Sequence, residues 1–248
     1  LDLVNDGPHI LLVGTSGSGK SELLKSLMLG WAAAYGPEEV NFVLFDFKGG
    51  STFQTIDRLE HSLGLVTDLS QAQAERTLEG IHSELKRRER LFLEAGAGDY
   101  AEYRRVESEK SLARMLIVID EFRIFSHELP DTMDELMRLA TLGRSLGLHL
   151  VLATQRPQGV VTPDIRANIG SVITLRLRGE DESQDLVGTP EAGHIPRDLP
   201  GRGIIRRPGE APLPFQSARL ISGSERLSAQ PASAPPPVAP DGNWEDTA

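Results

Sequence analysis

A chain of 248 residues is long enough for one α/β domain with a well-buried core and short for two. Hydrophobic content of 39% and charged content of 25% are ordinary for a soluble globular protein, and the absence of cysteine excludes a disulfide framework or a thiolate metal site. The net charge is −10, of which residues 223–248 carry −3, and the remaining −7 body suits nucleic acid poorly unless a local basic channel exists.

No apolar run approaches the roughly 18 residues of a membrane span, and no signal peptide precedes Leu1. The sequence begins almost at its first core strand and without Met, so it reads as a segment of a longer chain.

The first strand is the apolar run His9-Ile-Leu-Leu-Val13. A glycine-rich loop follows, Gly14, Thr15, Ser16, Gly17, Ser18, Gly19, Lys20, Ser21, with Glu22 opening a helix, and it fits G-x-x-x-x-G-K-[ST] in the strand–loop–helix order the motif requires. Glycines let successive backbone N–H groups turn inward around phosphate oxygens, and the helix directs the positive end of its dipole at the same anion. Lys20 is then placed for the β- and γ-phosphates of ATP, and the Ser21 hydroxyl for Mg²⁺.

Over 22–35, Leu23, Leu24, Leu27, Met28 and Trp31 recur at helical spacing, until Gly36-Pro37 ends the helix. Val40 to Phe47 is a buried strand with the loop Lys48-Gly-Gly50 at its carboxyl end, and Ser62 to Leu69 is a shorter strand. Gln71 to Ala95 is one long helix with an apolar stripe and a solvated basic run, Lys86 to Arg90. Asp99 caps a short helix running to about Glu109. Met115 to Ile119 is the most apolar strand and runs into Asp120-Glu121. Pro130 to Leu146 is helical, Leu148 to Gln155 a strand, Pro163 to Ala167 a short helix, Ser171 to Leu177 a strand, and Glu182 to Leu186 a short helix. Residues 203–210 and 214–221 form a terminal β-hairpin, and the Pro/Ala/Ser-rich segment 223–248 has the composition of a disordered linker or tail. Alternating strands and helices imply an α/β fold with a mainly parallel sheet and helices on both faces, spanning 1–222.

Ligands of parallel sheets bind beyond the carboxyl ends of the strands, which is where Asp120 and Glu121 fall. Asp120 is placed to hold Mg²⁺, and Glu121 to polarise an attacking water. Taken alone, a strand ending in Asp-Glu also starts helices as a cap; the glycine loop is what turns it towards nucleotide hydrolysis. Gln155 closes the following strand, where its amide can report the γ-phosphate. The six His lack metal-ligand spacing, no G-x-S-x-G exists, and 5% aromatic content disfavours a base-stacking platform.

Together, Gly14 to Glu22, Val43-Leu-Phe-Asp-Phe-Lys-Gly-Gly50, Ile117 to Phe122, Gly143-Arg-Ser-Leu-Gly-Leu-His149, Ala153-Thr-Gln-Arg-Pro157, Ile165-Arg-Ala-Asn168 and Asp185-Leu-Val-Gly-Thr-Pro190 resemble the FtsK/SpoIIIE motor ATPases. Phe47-Lys-Gly-Gly50 and Ile195-Pro-Arg-Asp-Leu-Pro-Gly-Arg-Gly203 are more similar to the EccC/EssC branch of type VII secretion than to the chromosome translocases. The resemblance covers about 3–220 and implies a RecA-like P-loop NTPase core. It further implies a cytoplasmic domain of a membrane-anchored bacterial protein, a ring with ATP at subunit interfaces, most often a hexamer, and secreted helical proteins as cargo. It also implies an arginine early in the helix after the third strand that completes a neighbour's site; the matching position is Arg76, with Arg144 as runner-up. Without that role, Arg76 is a solvated helix-surface residue beside Glu75 and Glu79. Arg123, after Asp120-Glu-Phe122, departs from the small residue expected there and stands either paired with Glu121 or facing outward. Two other activities suit the same fold: a double-stranded DNA translocase, and a slow or inactive ATP-holding module that recognises a secretion signal.

Overall fold

A computed structural model describes residues 2–47, 52–67 and 71–219. The loop at Lys48-Gly-Gly50, the end of the expected strand at Leu69 and the tail 223–248 lie outside the described residues.

Eight strands form one sheet: β1 (Ile10–Val13), β2 (Val40–Asp46), β3 (Ser62–Val66), β4 (Arg114–Asp120), β5 (Leu148–Thr154), β6 (Ser171–Leu175), β7 (Arg202–Arg206) and β8 (Leu213–Gln216). Their order is β3-β2-β4-β5-β1-β6-β7-β8. The first six are parallel neighbours, β7 runs antiparallel to β6, and β8 antiparallel to β7. The expected hairpin is present, with shorter strands than the sequence suggested. β1 lies inside the sheet between β5 and β6, so the chain leaving it crosses two strand positions before β2.

The helices are α1 (Lys20–Ala34), α2 (Gln71–Ala95), α3 (Tyr100–Val106), α4 (Phe122–Glu128), α5 (Met133–Leu146), α6 (Pro163–Asn168), α7 (Glu180–Val187) and α8 (Glu191–His194). Strand side chains alternate between two faces, and the two cores follow that alternation. Ile10 and Leu12 pack with Leu23, Leu24 and Met28 of α1 and with Phe53 and Ile56. Leu11 and Val13 join the larger cluster, which holds Leu78, Ile81 and Leu85 of α2 and Leu136 and Leu139 of α5. The buried strands carry no alternation of polar residues because both faces are covered.

Some local readings change. Pro130–Thr132 forms a 3₁₀ turn before α5, and α4, which the sequence had not suggested, fills the interval after Glu121. Phe122 and Phe125 of α4 are fully buried, so tertiary packing stabilises a helix whose own sequence is too short to persist alone. Arg88, read as solvated, is only 3% exposed. It donates to the carbonyls of Leu146 and Ala113 and to Glu84, and so satisfies the carboxyl end of α5 and the entry to β4. The expected cap is present: the Asp99 carboxylate accepts from the Glu102 N–H at 2.8 Å.

Candidate nucleotide site

The glycine loop joins β1 to α1 and is held from three sides. The Gly14 N–H donates to the Thr154 carbonyl of β5, the Thr15 N–H to the Arg176 carbonyl after β6, and the Gly201 N–H to the Ser18 carbonyl. Gly19 adopts φ +95°, a left-handed conformation, and a Cβ there would lie 2.6 Å from the Gly201 nitrogen. Glycine is thus required at 19 by both backbone sterics and the approach of the turn before β7. Among the described residues, the N–H groups of Ser16, Gly17 and Gly19 donate to no protein acceptor. Together with the amino end of α1, they make a donor-lined concavity suited to phosphate.

Asp120 ends β4 and is fully buried. Its Oδ1 pairs with the Lys20 ammonium, and its Oδ2 accepts from the Thr52 hydroxyl at 3.2 Å. The Thr52 N–H in turn donates to Asp46 Oδ2 at 2.8 Å, and Asp46 lies beside Asp120 in the β2–β4 register. Thr52 therefore ties together the carboxylates that close two neighbouring strands, and the Lys20 ammonium pairs with one of them. Sequence reading missed both Asp46 and Thr52. The only available signal was an aspartate at the carboxyl end of an apolar strand, and adjacency to Asp120 came from strand order alone.

Glu121 is the one non-glycine residue with positive φ among the described residues, at φ 65°. A left-handed conformation costs a side-chain-bearing residue on the order of 1–2 kcal/mol. The 6%-exposed carboxylate is fixed by the next strand: its Oε1 accepts from the Thr154 hydroxyl at 3.2 Å and from the Gln155 N–H at 3.3 Å. The bend at Glu121 thus aims the carboxylate at the end of β5, which strand order inserts between β4 and β1. Glu121 and Gln155, separated in sequence, become neighbours beside the loop. Arg123 is exposed on α4, while the Glu121 carboxylate turns to Thr154, so the outward alternative holds.

Lys20, Asp120, Glu121 and Gln155 are therefore brought to one rim with Gly14 to Ser21. Lys25 pairs with Glu22 in the first turns of α1 at 2.9 Å. Arg76 lies exposed near the start of α2, which follows the carboxyl end of β3 and so opens on the same rim. Arg144 lies exposed in the last turn of α5, which leads into the amino end of β5, on the opposite rim. For a divalent cation, the Ser21 hydroxyl and the Asp120 carboxylate are hard oxygen donors of the kind Mg²⁺ prefers. Groups of three or more His, Cys, Asp or Glu in metal-binding array do not occur among the described residues.

The model of the FtsK/SpoIIIE family matches residues 1–192. The chain belongs to that family. The type VII secretion system protein EssC of Staphylococcus aureus is 39% identical over 204 residues, covering 81% of this chain and 14% of EssC. The FtsK/SpoIIIE domain described here thus spans about one seventh of that curated relative. The cytoplasmic domain of the type VII secretion ATPase EccC of Thermomonospora curvata superposes with a TM-score of 0.80 at 35% identity, over 87% of this chain and 26% of that one. Its ATPases 2 and 3, solved with a signal sequence peptide, match at 0.79 and 28% identity, over 90% and 40% of the two chains. The RecA-like P-loop fold is thereby shared with these secretion ATPases.

Proposed function

We propose that residues 1–222 form an ATP-hydrolysing motor domain that drives protein export in a type VII-like secretion system, with 223–248 as a linker or tail. The observation that carries this reading is the cluster at one rim: Lys20 paired with Asp120, and Glu121 anchored to the end of β5 beside Gln155, around unengaged loop N–H groups.

In this reading the loop N–H groups bind the phosphates of ATP, and Lys20 exchanges Asp120 for the β- and γ-phosphates. Ser21 and Asp120 hold Mg²⁺, which neutralises phosphate charge when bound. Glu121 accepts a proton from water as the water oxygen bonds to the γ-phosphorus and the bond to the bridging oxygen breaks, releasing ADP and phosphate. Gln155 senses the γ-phosphate, and Arg76 acts on the adjacent subunit of a hexameric ring. The cargo is a secreted helical protein carrying a signal segment, and the domain works on the cytoplasmic side of a membrane-anchored parent. Among the described residues no helix is long and apolar enough to cross a membrane.

Steady-state ATPase activity measured against protein concentration tests this, with and without a candidate secreted helical pair or duplex DNA. Turnover that rises steeply with concentration, responds to the helical pair and is lost in Arg76→Ala is the expected result. A DNA-stimulated, salt-sensitive rate would replace export with DNA translocation, and a silent Arg76→Ala beside an inactive Arg144→Ala would assign completion of the neighbour's site to Arg144.

A further inference from the structure

On the side of the glycine loop away from Asp120, three arginines line one open cavity of about 650 Å³: Arg176, Arg178 and Arg197. Thr15, Ser16 and Gln155 line it too, so it adjoins the glycine loop and the residue proposed to sense the γ-phosphate. The fold builds this arrangement. Arg176 and Arg178 follow the carboxyl end of β6, and Arg197 follows α8. The Leu177 N–H donates to the Ala192 carbonyl at 2.9 Å, and a Cβ on Gly193 would lie 2.6 Å from the Gly179 carbonyl carbon. Only a glycine at 193 lets the two segments approach this closely, and that approach sets Arg197 beside Arg176 and Arg178.

The charges are unbalanced. Among the described residues no carboxylate forms an ion pair with any of the three guanidinium groups, although the whole chain carries −10. Arg176 spends one Nη2 proton on the Ser16 carbonyl at 3.0 Å, and its buried Nε has no partner. Like charges gathered in one cavity repel, and an anion between them relieves the repulsion. Guanidinium forks match the oxygens of phosphate, and three of them lining one cavity make it locally positive within a chain of net negative charge.

We propose that this cavity is an oxyanion site that receives inorganic phosphate leaving the glycine loop after hydrolysis, with Gln155 at the boundary between the two. The inference rests on the nucleotide reading above and adds a product-binding site to it.

The test is calorimetric titration of sodium phosphate, at fixed ionic strength, into the full chain saturated with Mg²⁺ and a non-hydrolysable ATP analogue. The analogue fills the loop and the γ-position, so phosphate that still binds one-to-one occupies another site. The expected result is saturable uptake that Arg178→Gln/Arg197→Gln weakens by at least tenfold, with analogue affinity within twofold of the parent. Both side chains are exposed, so the double variant retains the fold. Phosphate excluded by the analogue, or uptake unchanged in the double variant, overturns the inference while leaving nucleotide binding intact. A chain that takes up phosphate at the arginines but no nucleotide removes the nucleotide reading instead, and with it the proposed source of the phosphate.

Discussion

The glycine loop is flanked by two charged regions of opposite sign that the fold treats differently. On one side Asp46, Asp120 and Glu121 are buried, and each is held by named donors: Thr52, Lys20, Thr154 and the Gln155 N–H. On the other side Arg176 is half-buried, Arg178 and Arg197 are exposed, and no carboxylate pairs with them among the described residues. The difference follows from solvation. A charge removed from water must be paired and hydrogen-bonded to persist, whereas a charge in water can wait for a mobile partner. The acidic flank is consequently preorganised, as positioning of water and metal requires, and the basic flank stays open to diffusing anions.

Among substitutions, breaking the acidic flank gives the largest expected effect. Lys20→Ala leaves the Asp120 carboxylate buried without its ammonium, and loss of one partner of such a pair costs about 3–5 kcal/mol of stability. Urea unfolding reads this directly, and Lys20→Met/Asp120→Asn should recover most of the loss; no recovery would mean that the pair does not carry the cost. Glu121→Gln preserves size and keeps an oxygen for the Thr154 hydroxyl, so it should bind ATP analogue normally while turnover falls by roughly 10²–10⁴-fold. Weak binding in that variant would assign Glu121 to ground-state binding rather than to chemistry.

Acid should loosen both flanks together, because the amino ends of β1 and β5 are pinned by two buried histidines. His9 accepts from the Leu150 N–H and so donates to Ala140, and His149 donates to the Pro8 carbonyl and accepts from Arg114. Burial pushes both down to about 4. The unfolded chain binds these protons near pH 6.5 and the folded chain resists until about pH 4, so stability falls across that window. The slope is up to about 1.4 kcal/mol per pH unit for each histidine, and thermal melts between pH 7.5 and 4 measure it. A flat profile would contradict the buried neutral pair.

Gly19→Ala adds a Cβ at positive φ against Gly201 and should destabilise by about 1–3 kcal/mol and weaken nucleotide binding, read by melting with and without ATP analogue. The smallest effect belongs to the basic flank: Arg178→Gln alone should shift stability by less than about 0.5 kcal/mol. A larger loss in a urea titration would show that the arginines support the fold and erase the contrast.

Much of the site was legible because it is local. The stretch from His9 to Glu22 carries strand, loop and helix within one window, and each feature has its own residue signature. Asp120-Glu121 was legible as a strand end, yet its bond to Thr154 was not, since only strand order inserts β5 beside it. Thr52 gave no signal at all: a threonine after a glycine pair has no distinguishing pattern until the chain folds back over β2 and β4. α4 and buried Arg88 escaped for a related reason, because short helices and desolvated arginines are stabilised by partners that propensity does not contain.

By itself the sequence determined the glycine loop, the mainly parallel α/β pattern and the two acids, because backbone permissiveness and hydrophobic periodicity act over a few residues. Only the tertiary structure decided which charges are buried in pairs and which stand together unpaired. That division depends on which strand ends become neighbours and where water reaches them, and neither is written in any single stretch of chain.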